Sequence, residues 1–424
     1  MLAGTLALVL SVVASVLGGV LRERALLPWA LLALVAAADL MLSRSRRKQV
    51  TFALVPEIFI GETADLKLEV ANAPDGMRGR LDWPEGVSGP GAFPFEAGEG
   101  GAARAKVSCR AVRRGVWSFD RLWLSWSSRL KLFEFVPRLS VGASVRVVPN
   151  IRLVQSGAIT TTVASTLYGV KENRVIGEGS EFHQLRDFVQ GMDVKTIDWK
   201  RSARRRALVA KELRAERNHH VVVALDTGFL MREEIMGLPK IDHAVTAALA
   251  TAWAAIIGGD LVSCYAYDIQ PRIFVAPQAG RAAFARLRSL MADLTYVGRE
   301  TNHMLALSEL NARTPKRSLI IIFTDFVDTT SAELLIENIG ILARRHVLIF
   351  VTLRDPETED LAEAAPQTLN GVATLVAASQ SIAERRLVHE RLARLGVTVV
   401  NARPDQVTAR LISAYLDIKA REVI

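Results

Sequence analysis

Two carboxylates close two runs of consecutive β-formers in the second half of the chain: Asp226 ends VVVALD and Asp325 ends LIIIFTD. Open α/β sheets bind ligands at the carboxyl ends of their strands, so these aspartates are the strongest site signal in that half. Few other residues compete. His183 stands beside Glu181, Arg186 and Asp187, a setting in which a general acid or base is conceivable, yet most such histidines are satisfied surface groups. His219 and His220 precede the first strand without a third ligand. Cys109 and Cys264 lie far apart without CxxC or Cys/His spacing, so neither zinc nor a disulfide framework is indicated. The chain also lacks a glycine-rich phosphate loop, H-E-x-x-H and a nucleophile elbow. Its chemistry therefore reads as non-enzymatic.

The elements that must position the two aspartates are legible around them. VVVALD, LVSCYAY, IFVAP, LIIIFTDF, VLIFVTL and VTVVN alternate with helical stretches at Ile241 to Ile257, Arg281 to Leu294 and Ala332 to Arg345. Uninterrupted Val, Ile and Leu mark strands buried on both faces, which requires helices on both sides of a mostly parallel sheet. The expectation is a doubly wound α/β domain over 218–424.

Immediately before it comes the stretch Gly177 to Arg217, in which acids and bases alternate through glycine breaks with only Phe182, Leu185, Phe188, Ile197 and Trp199 as large apolar anchors. A solvated helix would carry its charges on one face, so the stretch reads as an ordered polar platform within a block 151–217. Glu181, Arg186, Asp198 and Trp199 are expected to build it, with Lys200, Arg204 and Arg205 on its basic side. The whole chain carries a formal charge of +9. Lys195 to Arg217 holds nine Lys or Arg against three acids, which supplies most of that excess. Basicity this local suits one anionic partner surface, whether nucleic acid, a lipid headgroup layer or an acidic protein face.

A length of 424 residues predicts two or three domains. Residues 2 to 21 form an apolar run long enough for a bilayer-spanning helix, and Leu26 to Leu42 form a second, with only Arg22, Glu23 and Arg24 between them. A transmembrane helical hairpin over 1–48 is expected, with Asp39 near its end. Arg44, Arg46, Arg47 and Lys48 outnumber the bases of the turn, which puts both termini in the cytoplasm. From 49 to 150, DLKLEV, VWSFDRLWLSW and SVRVVP alternate apolar and polar residues between turn signals at NAPDG and SGPGAFP, as in an all-β sandwich or small barrel. Trp117, Trp123 and Trp126 fall at core and sheet-face positions of that pattern.

The α/β half resembles the von Willebrand factor A fold, whose metal-ion-dependent adhesion site sits at the same strand edge. That resemblance implies magnesium held by Asp226, Thr301 in RETNHMLAL and Asp325, an oxygen donor set suited to a hard cation. Two serine positions of the motif are Gly228 and Leu230 here, so the implied site is degenerate. The charged block resembles the signature of the membrane-anchored family known as domain of unknown function fifty-eight. It does so through Gly179, Glu181, Phe182, Leu185, Arg186, Gly191, Asp193, Ile197, Asp198, Trp199 and Ala203, and departs at Met192, Phe188 and Lys195. This second resemblance implies a protein of the bacterial inner membrane with its soluble domains in the cytoplasm. It also implies a MoxR-type AAA+ ATPase as partner, in the assembly or maturation of other proteins. A membrane-tethered nucleic-acid binder using Arg204 to Arg206 is the alternative reading.

Overall fold

The computed structural model describes residues 8–9, 11–13, 27–43, 49–74, 76–98, 101–159, 161, 181–190, 192–214, 219–295, 297–327, 329–365 and 368–421. The chain divides into two compact units, Met1–Val148 and Pro149–Ile424.

In the first unit the second apolar run folds as helix α1 (Leu27–Ser43), 17 residues long. At ~1.5 Å per residue it covers ~25 Å, short of a ~30 Å hydrocarbon core. Among the described residues no helix is long and apolar enough to cross a membrane, so the transmembrane hairpin expected from sequence is not carried by the structure. Most of the first run lies outside the described residues. Asp39 is tied down rather than left facing solvent, since its Oδ1 accepts from the Leu130 amide and from Ser43 Oγ, each at 3.1 Å.

The strands of this unit are β1 (Val50–Ala53), β2 (Glu57–Phe59), β3 (Thr63–Val70), β4 (Arg78–Leu81), β5 (Val87–Ser88), β6 (Phe93–Pro94), β7 (Glu96–Ala97), β8 (Ala103–Ala111), β9 (Gly115–Ser127), β10 (Glu134–Phe135) and β11 (Arg138–Val148). They form two sheets. One has the order β1-β3-β8-β5 with β7 on β8, the other β2-β11-β9-β4-β6 with β10 on β9. Strict alternation along β8 buries Ala103, Ala105, Val107, Cys109 and Ala111 on one face. Phe52 of β1 lies 5.2 Å from Phe119 of β9, which joins the two sheets through a shared core. Of the three tryptophans, Trp126 is buried and stacks on Phe135 at 5.7 Å. Trp117 and Trp123 are only half-buried; Trp117 Nε1 donates to the Arg113 carbonyl and Trp123 lies under the Arg138 guanidinium.

The second unit begins with the short helix α2 (Arg152–Gln155) and a two-stranded hairpin of β12 (Glu181–Asp187) and β13 (Val209–Arg214), which closes over helix α3 (Trp199–Arg205). Then come β14 (His220–Asp226), the two-residue strands β15 (Glu234–Ile235) and β16 (Leu238–Pro239), α4 (Lys240–Ile257), β17 (Leu261–Tyr267), β18 (Pro271–Gln278), α5 (Gly280–Ala292), α6 (His303–Arg313), β19 (Leu319–Phe323), α7 (Thr329–Ala343), β20 (Val347–Leu353), α8 (Pro356–Glu363), α9 (Leu369–Arg394), β21 (Thr398–Ala402) and α10 (Pro404–Ala420). The main sheet has the order β18-β17-β14-β19-β20-β21. Its neighbours are parallel except for the antiparallel edge strand β18.

Both faces of β14 are covered, as its run of valines requires. Val222 and Ala224 join a cluster with Leu307 and Leu310 of α6, Leu335 and Ile339 of α7, and Val388 and Leu392 of α9. Helix α4 packs against β14, β17 and α10. The sheet thus reads outward from β14 in both directions, the doubly wound order. The chain leaves β14 for β17 on one side and reaches β19 on the other, so the topological switch point lies between the carboxyl ends of β14 and β19.

Candidate functional site

Asp226 is the last residue of β14, and Thr324 and Asp325 follow directly on β19. The parallel register sets Leu225 beside Phe323, and this brings the two strand ends together at the switch point. Asp226 is buried. Its Oδ1 accepts from the Gly228 amide at 2.8 Å and from Thr301 Oγ1 at 2.6 Å, and its Oδ2 accepts from Thr324 Oγ1 at 2.6 Å. Burial pushes this carboxyl above the usual carboxylate range, against the opposing influence of His303 and the three donors. His303, the first residue of α6, is pushed downward, again chiefly by burial.

Asp325 faces the other way. Its Oδ2 takes the ammonium of Lys240 at 2.5 Å, and its Oδ1 takes the Arg385 guanidinium at 2.5 Å and the Phe326 amide at 2.9 Å. Lys240 also donates to Glu233. A tight turn arranges that contact: Met236 and Gly237 both have positive φ, 53° and 74°, between the paired residues Ile235 and Leu238. Such a turn joins β15 to β16 and sets Glu233 opposite Lys240 at the start of α4. Arg385 reaches Asp325 from α9 and lies over the Phe326 ring. The result is a line of alternating charges, Glu233, Lys240, Asp325 and Arg385.

This line borders a cavity of about 320 Å³ lined by Lys240, Arg354, Arg385, Arg386, His389 and Asn401, among others. His389 donates to or accepts from Thr352 Oγ1 at 3.2 Å. Burial and the neighbouring Arg385 push its imidazole down to about 4, against the pull of Asp325, so it is neutral near pH 7. At the rim Arg354 pairs with Glu359 at 3.1 Å, and Glu359 also accepts from Arg403 at 2.6 Å.

The residues do not fit a magnesium ion. Position 228 has no hydroxyl, and a Cβ there would lie 2.0 Å from Thr301 Oγ1. Both oxygens of Asp226 are engaged by protein donors, and two cationic side chains already neutralise Asp325 where a divalent ion would need its charge. Of the three residues that the von Willebrand A resemblance implies, the structure brings Asp226 and Thr301 into contact. It turns the Asp325 carboxylate away from them, and Thr324, its neighbour in the chain, donates to Asp226 instead. Sequence reasoning missed Lys240, Arg385, Thr324 and Glu233. Thr324 alone carried a signal, since it precedes Asp325 in FTD.

The platform residues lie apart from this edge, on the β12–β13 hairpin. Of the block 151–217, residues 160, 162–180, 191 and 215–217 fall outside the described residues. Glu181 opens β12 opposite Arg214, and Arg186 stands opposite Ala210. Asp198 caps α3 by accepting from the Arg201 amide at 3.1 Å and pairs with Lys211 at 3.7 Å; the amide bond and Lys211 hold its carboxyl below the usual range against some desolvation. Lys200, Arg204 and Arg205 are exposed on α3. Trp199 is exposed as well, so it does not pin the platform as expected. Ile197, buried, does that, bridged to Ala210.

Residues 184–394 match the model of the family described as Protein of unknown function DUF58. The match supports placing the chain in the DUF58 family. The matched region begins inside β12 and ends at the last residue of α9, so it takes in most of the hairpin, the switch point and the cavity lining except Asn401. No curated protein matches the chain. Among solved structures, the conserved hypothetical protein BatB from Bacteroides thetaiotaomicron is 12% identical, with a TM-score of 0.29, 48% of this chain covered and 100% of that one. An uncharacterized membrane spanning protein from Vibrio fischeri is 11% identical, with a TM-score of 0.17 and coverage of 47% and 98%.

Proposed function

We propose that this protein is a non-enzymatic scaffold with a von Willebrand A-like module, held at the bacterial inner membrane with its soluble units in the cytoplasm. In this reading it works with a MoxR-type AAA+ ATPase in assembling or maturing other proteins. The observation that carries the proposal is the pair of strand-end carboxylates at the switch point, both satisfied by protein donors, with Lys240 and Arg385, the two cations on Asp325, lining an open polar cavity. A carboxyl saturated by hydroxyls and amides, or by two fixed cations, is suited to holding a surface in one shape rather than to exchanging protons with a substrate. The apolar runs at 2 to 21 and Leu26 to Leu42 supply the anchor, and Leu31, Leu34 and Leu42 are exposed on α1.

The test is capture of an AAA+ ATPase by the full chain from detergent-solubilised membranes, with wild type compared with Arg386→Glu and Asp355→Lys at the cavity. Both substitutions are expected to cut capture at least ten-fold while leaving the circular dichroism spectrum unchanged. Capture that is equal across all three proteins would remove the cavity as the contact surface.

A further inference from the structure

The β12–β13 hairpin carries a second surface, independent of the ATPase reading. Between Arg186 and Lys211 the chain has eight Lys or Arg against three Asp. Lys200, Arg204, Arg205 and Arg206 are exposed, on α3 or just beyond it. Arg206 has φ 55°, a left-handed residue that ends the helix and turns the chain back into β13.

The same end of the hairpin exposes apolar side chains that a solvated basic helix would not need. Val189 is 64% exposed, Val194 60%, Trp199 65% and Leu208 47%. Backbone bonds gather them. The Phe188 amide donates to the Leu208 carbonyl at 2.8 Å, that of Met192 to Val189 at 3.1 Å, that of Ile197 to Val194 at 3.2 Å, and that of Asp198 to Val209 at 2.9 Å. Four apolar residues therefore ring the closing end of one hairpin beside a cluster of bases.

We infer that this end of the hairpin docks on an anionic lipid surface. The arginine run and Lys200 meet the headgroups, while Trp199 and the aliphatic residues enter the headgroup and acyl boundary. Tryptophan favours that boundary, and a basic face joined to an apolar one is the pattern of proteins that lie on membranes. Nucleic acid would satisfy the arginines equally well and Trp199 by stacking. It offers nothing to Val189, Val194 or Leu208, which have no ring face to stack and would stay in water. The aliphatic residues thus decide between the two anionic surfaces. Each base near an anionic leaflet contributes roughly a five-fold gain in partition, so three arginines together are worth about a hundred-fold.

The two native cysteines are buried, which permits a single exposed label. Leu208→Cys carrying an environment-sensitive dye, in the full chain, is reconstituted into nanodiscs of phosphatidylcholine alone or of phosphatidylcholine with phosphatidylglycerol. The expected result is a blue-shifted emission, protected from an aqueous quencher, in the anionic discs only and reversed by high salt. Arg204, Arg205 and Arg206 changed together to Gln should abolish the shift, and the same three changed to Lys should retain it. The salt reversal is read on unaltered arginines, so it stands even if the Gln protein misfolds. Equal emission in both discs would overturn the inference. So would a shift produced by single-stranded RNA, or by an acidic protein, in neutral discs with none from phosphatidylglycerol.

Discussion

Lys240 and Asp325, 85 residues apart in sequence, meet at 2.5 Å with both side chains almost fully buried. The pair joins the start of α4 to the end of β19, and Arg385 adds a second cation from α9. Removing one member of such a pair leaves an uncompensated charge in a poorly hydrated place, which costs roughly 3–5 kcal/mol. Lys240→Ala should therefore lower the urea midpoint markedly. Asp325→Leu combined with Lys240→Met removes both charges, and should recover part of the loss if Arg385 can swing out to solvent. A double variant no better than the worse single one would show that the pair is not the energetic unit.

Asp226 should make stability depend on pH in the direction opposite to an ordinary ion-paired aspartate. Its folded pKa is raised by burial, so the folded state binds its proton more tightly than the unfolded chain, whose value is about 3.9. The stability this supplies is complete below about pH 4 and is lost as pH rises through the raised folded value. Asp226→Asn has no such dependence and keeps an acceptor for Thr301. The stability difference, variant minus wild type, should grow with pH above about 4 and then level off in denaturation series. A difference that stays flat would place the ionised carboxylate in the folded state throughout.

His389 gives a second pH window with its own sign. Its imidazole is pushed down to about 4 by burial and by Arg385, against an unfolded value of about 6.5. Stability is complete above the unfolded value and falls as pH drops toward 4, because the unfolded chain gains a proton first. His389→Gln should flatten the wild-type slope between about pH 6.5 and 4 by up to about one proton. Titration of the His389 ring by NMR near its unfolded value would contradict this.

How far these contacts could be read from sequence depends on their range. The strands ending at Asp226 and Asp325, and the helices between them, were visible because β-former runs and apolar periodicity are local signals. Helix α4 was expected at Ile241 to Ile257 and spans Lys240–Ile257. That one residue matters, since Lys240 is the buried cation of the site. Nothing local marks Lys240 or Arg385 as partners of Asp325, because a charged residue on a helix reads as solvated until the fold brings a carboxylate to it. The hairpin β12–β13 was hidden for a similar reason: its strands are charged, without the alternation that marks a buried face, and the pairing spans a 21-residue gap that contains α3. Trp199 was misjudged as an anchor because composition alone does not say which aromatic side chain faces inward.

Gly228 is fixed by its neighbours. A Cβ at that position would lie 2.0 Å from Thr301 Oγ1 and 3.1 Å from Asp226 Oδ1. Gly228→Ser would therefore restore the hydroxyl of the adhesion-site pattern only by displacing the threonine that holds Asp226. A cost of roughly 1–3 kcal/mol is expected from this overpacking. Thr301→Ala should relieve it, so the cost of the double variant should be less than the sum of the singles. Additive losses in thermal denaturation would mean that the serine finds room elsewhere.

At the opposite edge of the sheet, Asp260 fastens the last helix to the sheet. Its Oδ2 accepts from Tyr415 Oη at 2.6 Å, and its Oδ1 accepts from Lys419 Nζ at 2.6 Å and from the His219 amide at 3.1 Å. Lys419 also donates to the Gly258 carbonyl at 2.8 Å. One buried carboxylate thus ties α10 to the turn between α4 and β17 and to the entry of β14. Tyr415→Phe keeps the ring and removes a single donor, leaving one carboxylate oxygen short of a partner at a cost of roughly 1–3 kcal/mol. Lys419→Met leaves the carboxylate without its cation and should cost more, about 3–5 kcal/mol. Because the two donors share one acceptor, their effects should be coupled by more than about 0.5 kcal/mol in a double-mutant cycle. Amide hydrogen exchange should quicken along α10 in both variants before it changes in β17. Exchange that rises uniformly across the sheet would mean that Asp260 supports the whole unit rather than the attachment of its last helix.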